Sequence, residues 1–200
     1  MVGKNEPVQP PLNYDVVGAT EPAEPNWSTR PQDGYRDFER TVRIGEGDAF
    51  WANASSALLR WGVKTNSGFT VDPQPAAAVQ AGERYRITAH LGFFRVHEPV
   101  AVVAVVDAPD RRGFAYGTAH GHPVSGEEAF VLHREPDGSV HLTLRSLTRA
   151  PQGAGVWSSR PRCCFSRCTD VVRPGAHQVG ERTDSVSASS ARRLGRSTGR

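Results

Sequence analysis

The chain has 200 residues, a net charge of +3 and 38% hydrophobic residues. That suffices for one domain of ordinary size with tails and is marginal for two. The charge is uneven: residues 152–200 hold nine Arg against two Asp and one Glu, a net of +6, which leaves −3 for residues 1–151. The alkaline character belongs to the tail, so nucleic-acid binding by the body is not expected. No stretch reaches the ~18 consecutive apolar residues of a membrane helix, so no membrane span is expected. "MVGKNEPVQPP" lacks the apolar core of a secretory signal, and a cytoplasmic location is the default expectation.

Residues 1–34 carry six prolines and little apolar periodicity, which predicts a largely extended or disordered segment. The texture changes at Tyr35. "FERTVRIG" (38–45) sets Phe38, Arg40, Val42 and Ile44 against Glu39, Thr41 and Arg43, an alternation that predicts a strand. Phe50, Ala54, Ala57, Leu58 and Trp61 then recur at helical spacing between Asp48 and Gly62.

Beyond Gly68 the pattern predicts strands only: Phe69–Val71, Arg84–Leu91, Phe93–His97, Val100–Asp107, Arg112–Thr118, Glu128–Arg134 and Ser139–Thr148. Short turn sequences, Pro-Asp-Arg-Arg-Gly (109–113) and Pro-Asp-Gly-Ser (136–139), link neighbours and so predict an antiparallel meander. The fold class is α+β: a curved antiparallel sheet gripping a helix over residues 35–150. One short helix covers little of such a sheet, and no second covering element follows Pro151.

Residues 151–200 read as a disordered, basic, Ser/Gly/Arg-rich tail. All three cysteines (Cys163, Cys164 and Cys168) lie there, without the paired spacing of a zinc site. The codons beneath residues 156–168 tell a second story when displaced by two bases. Val156–Trp157, Arg162–Cys163 and Arg167–Cys168 then each encode Leu, Met or Val, Cys163–Cys164 encodes Leu, and Cys164–Phe165 encodes Leu or Phe. With GC-rich codon choices the displaced frame reads approximately as an apolar helix ending in a basic cluster, the element the fold lacks. The tail thus reads as a frameshift product from about residue 154, with a natural disordered tail as the alternative.

The densest stretch is "RRGFAYGTAHGHPVSGEEAF" (111–130), with four glycines, two histidines and two glutamates. It predicts two strands joined by a turn whose glycines supply unusual backbone conformations. His120 and His122 could share a strand face with Glu127, but no third histidine is near and no metal or other cofactor is expected. Glu127 and Glu128 are adjacent on a strand, so at most one points inward.

Three stretches carry a family resemblance: "PLNYDVVGAT", "GYRDFERTVRIGEGDAFWANASSALLRW" and "VVDAPDRRGFAYGTAHGHPVSGEEAFVLHREPDGSVHLTLRSLTR". Over about residues 12–150 the chain resembles uncharacterised protein family 0548, a bacterial and plant domain of unknown function. The resemblance is in outline to the helix-grip superfamily of START and Bet v 1 type. It implies a continuing apolar, basic-ended helix, from which this chain departs after Pro151. It implies no activity.

Three functional readings follow. The first is a cavity for an apolar or amphipathic small molecule, lined by Trp51, Trp61, Phe93, Phe94, Phe114, Tyr116 and Phe130. For each of these, membership of the core is the plainer reading. The second is an enzyme using His122, Glu127 or Glu128 as acid–base groups, with His90 or His97 from neighbouring strands. The third is a structural or partner-binding protein. Nucleophile and phosphate-loop motifs are absent from the sequence.

Overall fold

A computed structural model of the chain describes residues 10–28, 34–91 and 93–149. Its elements, in order, are β1 (Arg36–Glu46), α1 (Asp48–Leu58), α2 (Gly62–Asn66), β2 (Thr70–Asp72), β3 (Arg84–Leu91), β4 (Phe94–Asp107), β5 (Arg111–Thr118), β6 (Ser125–Arg134) and β7 (Ser139–Arg149). The seven strands form one antiparallel sheet in the order β1-β7-β6-β5-β4-β3-β2. β2 through β7 follow one another as a meander, and β1 closes onto β7 at the far edge. Register shifts between Arg43 and Gly45 and between Val102 and Ala104 mark bulges, which bend a sheet locally.

Alternation divides the central strands cleanly. Phe114, Phe130, Leu132, Leu142 and Leu144 face the helices on the concave side, with Ile44, Trp51, Leu58 and Trp61 in the same core. Ala115, Ala129 and Val131 form a second, smaller cluster on the convex side. Such two-sided burial explains the unbroken apolar run Ala129–Leu132 within β6.

The helical segment differs from the single helix expected. α1 stops at Leu58, Trp61 takes a left-handed conformation (φ 63°), and Gly62 opens α2 instead of ending a helix. Burial of the indole explains the break. Trp61 is wholly buried and meets Tyr85, Phe114 and Tyr116 at ring-centroid distances of 5.1, 4.8 and 5.1 Å. Aromatic packing of that extent, edge-on to Tyr85 and Phe114 and tilted to Tyr116, outweighs the cost of one non-glycine residue at positive φ.

Pro99 was expected to separate two strands, yet β4 runs through it. Its carbonyl accepts the Ala119 N–H (2.9 Å), while the β4–β5 pairing stops at Val100–Thr118. The proline's missing donor therefore falls at the end of that ladder, where a strand tolerates it.

The N-terminal segment departs most from expectation. Residues 10–28 are neither strand nor disordered: they form a strap of turns across the convex face, with one bridge between Leu12 and Ala119. Proline content forecast the lack of regular structure but could not reveal the hydrogen-bond partners waiting on β5, β6 and β7. The expected disordered tail, its frameshift origin and the covering helix fall at 151–200, outside the described residues.

Candidate functional site

The densest stretch of the sequence proves to build two sites, one on each face of the sheet. On the convex face Glu127 is almost completely buried and accepts four hydrogen bonds from the strap. They come from the Tyr14 hydroxyl (2.9 Å), the Gly18 N–H (2.7 Å), the Thr20 N–H (3.0 Å) and the Thr20 hydroxyl. Gly117 makes this possible, because a Cβ there would overlap the Tyr14 ring and hydroxyl. Gly126, at φ 143°, lies so close to the β7 backbone that a Cβ would overlap the Leu147 carbonyl. Burial first, then the Glu127 charge, push the Tyr14 hydroxyl pKa far above its ordinary value. Tyr14 therefore stays a donor.

Arg145 completes the clasp. Its side chain is buried and pairs with Glu39 (2.9 Å), and it donates to the carbonyls of Thr20, Glu21 and Pro25. Arg111 adds bonds to the Pro22 and Glu24 carbonyls, both 2.8 Å. Glu127 is thus a structural anchor, as far from the concave interior as its strand allows.

On the concave face Glu128 heads a different cluster. Lys64, from α2, pairs with it at 3.1 Å, and the Tyr116 hydroxyl donates to the same carboxylate oxygen. Only 6% of the Lys64 side chain is exposed, against 26% for Glu128. The ammonium group also sits 5.1, 5.4 and 5.6 Å from the ring centres of Phe69, Tyr116 and Phe130. Aromatic faces of this kind stabilise a desolvated cation.

The electrostatics follow from burial opposed by pairing. Burial pushes the Glu128 carboxyl up, but the Lys64 charge and the bonds from Tyr116 and Lys64 outweigh it and hold the pKa below the usual range. Burial, then the Glu128 charge, drive the Tyr116 hydroxyl well upward. Glu98, on the neighbouring β4, is raised by burial, opposed by Lys64 and assisted by Glu128. His122 is lowered to about 4, chiefly by burial. Its Nδ1 lies 3.1 Å from the Val124 N–H and 3.0 Å from the Val124 carbonyl, so the ring braces the β5–β6 turn.

The sequence candidates separate accordingly. His122 and Glu128 share the concave cluster, and Glu127 lies behind the sheet. His90 and His97 are on β3 and β4, exposed and bonded to Thr70 and Thr88 respectively. Of the expected cavity lining, Trp51, Trp61, Phe114, Tyr116 and Phe130 belong to the packed core. Trp61 is wholly buried against Tyr85, Phe114 and Tyr116. Phe93 and Phe94 do not face the interior at all. They stand exposed at the β3–β4 turn, since a short hairpin tip has no opposing layer to bury them.

Lys64 and Glu98 were not anticipated. Lys64 lay in an unremarkable "GVKTN", and only the fold of α2 over the sheet brings it to Glu128, 64 positions away.

The layout of one strand, two short helices and a six-stranded meander is α+β. The family model for a domain of unknown function, DUF1990, matches residues 13–189, and the chain belongs to that family. The match extends beyond the 12–150 expected from the sequence and crosses Pro151. A UPF0548 protein of Deinococcus radiodurans is 34% identical over 141 residues, covering 64% of this chain and 70% of that protein. A UPF0548 protein of Arabidopsis thaliana is 27% identical over 124 residues, covering 59% of this chain and 60% of that one.

Among solved structures, a norcoclaurine synthase point mutant from Thalictrum flavum has a TM-score of 0.49 at 10% identity, covering 69% of this chain and 91% of its own. Major latex-like protein 151 from Panax ginseng has a TM-score of 0.49 at 12% identity, covering 69% and 95%. These are likenesses of outline. Among the described residues no helix is long and apolar enough to cross a membrane.

Proposed function

We propose that the protein binds an amphipathic small molecule on the concave face, with the ligand's polar group at Lys64, Glu128 and Tyr116 and its apolar part along the sheet. The observation that carries this reading is the Lys64–Glu128 pair, at 3.1 Å, embedded among Phe69, Tyr116 and Phe130. Ion pairs withdrawn from water gain little net stability, so a buried pair on an apolar face invites a functional explanation. Glu128 remains a quarter exposed and so accessible to a ligand. The ligand then sits beyond Trp61, not in the packed region beside it. A thermal-shift panel of fatty acids, aromatic amines and aromatic carboxylic acids tests the reading. A saturable rise in Tm that disappears in K64M and in E128Q supports it; no shift with any class sinks it.

A second reading, acid–base catalysis, is favoured by the same cluster. It gathers His122, held neutral by burial, with Glu98, raised by burial, around an ionised Glu128. Groups pushed apart in pKa within one site are what proton transfer needs. Turnover of any bound ligand that vanishes in E98Q or H122Q while binding persists would select this reading over simple binding.

A further inference from the structure

We infer that His133, Glu135 and His141 form a binding site for a divalent transition metal at the β6–β7 hairpin, on the convex face. The inference is independent of the concave site. His133 and His141 are directly opposite in the β6–β7 register. Their rings stack with centroids 5.0 Å apart and planes 13° from parallel. Glu135, at the start of the turn, brings a carboxylate oxygen to 3.5 Å from His133 Nε2. One ligand atom from each of the three residues lies within 4.8 Å of the others.

The unusual feature is what the rings leave unmet. Nδ1 of His133 and Nδ1 of His141 are both buried without a hydrogen-bond partner. Buried polar atoms are nearly always satisfied, so two such nitrogens on stacked rings need a reason. A metal ion is one. Bonds of ~2.0–2.1 Å place ligand atoms at most about 4 Å apart, so rotation of the imidazoles and of the half-exposed Glu135 closes the remaining gap.

The surroundings decide which cation fits. Arg43 is opposite His141 and is paired with Glu46; Arg111 is opposite His133 and is held by the Pro22 and Glu24 carbonyls. Asp137 lies in the same turn, and Arg145 lies further along β7. Two flanking guanidinium groups discourage hard ions held by charge alone, such as Ca2+ or Mg2+. Two imidazoles and one carboxylate instead suit Zn2+, Co2+, Ni2+ or Cu2+. Three protein ligands leave a coordination position for water or an exchangeable group.

Co2+ and Zn2+ titrations of the full chain, with Cys163, Cys164 and Cys168 replaced by Ser, test the site. The expected result is one equivalent bound, with cobalt d–d bands of nitrogen and oxygen ligation. H133Q and H141Q should each weaken binding at least tenfold, E135Q less, and H120Q not at all. Imidazole NMR signals of the unsubstituted His133 and His141 provide a readout independent of variant folding. Broadening of both by Co2+ supports the site. Unbroadened signals, or affinity unchanged in H133Q and H141Q, overturn it.

Discussion

Glu127 and Glu128 are consecutive residues that the β6 pleat sends to opposite faces of the sheet, where they meet entirely different partners. Glu127 receives Tyr14 and the backbone of the N-terminal strap; Glu128 receives Lys64 and Tyr116. One carboxylate organises a clasp and the other a polar centre in an apolar face. Substitutions at the two positions should therefore fail differently.

Replacing Glu127 by Ala strands the donors of Tyr14, Gly18 and Thr20. Hydrogen bonds to a charged group contribute ~1.5–3 kcal/mol each, and their losses are shared, so a total cost of at least ~3 kcal/mol is expected in urea denaturation. Residues 10–28 should become the first site of limited proteolysis. Gly117→Ala should release the same strap by displacing Tyr14. Wild-type stability and protease resistance in both variants would contradict the clasp.

Replacing Lys64 by Met leaves Glu128 without its cation. The expected loss is about 2–3 kcal/mol, below the ~3–5 kcal/mol of a fully buried pair because Glu128 is partly exposed. The double variant K64M/E128Q should recover much of the loss. A double-mutant cycle without coupling between the two positions would show that the pair does not act as a unit.

His122 makes stability depend on pH in a defined direction. Its pKa is about 4 in the folded chain against 6.5 unfolded, so between those values the unfolded chain binds more protons. The contribution is fully present above ~6.5 and is lost as pH falls toward about 4, by up to ~1.4 kcal/mol per pH unit. His133 shifts in the same direction, so H122Q should flatten the slope without abolishing it. The lowered Glu128 acts at the acid end, where stability is lost as pH falls through its folded pKa. Equilibrium unfolding from pH 4 to 7.5 measures the slope; an unchanged slope in H122Q would refute the assignment.

Trp61 and Phe93 offer a contrast between two aromatics of similar appearance in sequence. Trp61→Ala should cost ~3–5 kcal/mol and bring a large loss of tryptophan fluorescence structure. Phe93→Ser and Phe94→Ser should each stay within ~0.5 kcal/mol of the parent, since both side chains are exposed. Comparable destabilisation at all three positions would show that the hairpin tip is buried against something.

Alternation and turn chemistry determined the α+β class, the meander and most strand positions, because those signals are local and have a period of two. The same alternation placed Glu127 and Glu128 on opposite faces. Which face each would take, and who would meet it there, was a matter of tertiary structure. The Tyr14–Glu127 and Lys64–Glu128 contacts join residues 113 and 64 positions apart. No local pattern encodes a partner at that distance. The proline-rich strap looked featureless because its order comes from Glu127, Arg145 and Arg111, not from its own propensities. His133 and His141 are eight positions apart around a hairpin, and register alone stacks their rings. Trp61 looked like the end of a helix lining a pocket. In the folded chain the whole indole is buried and the backbone takes a left-handed turn at that residue.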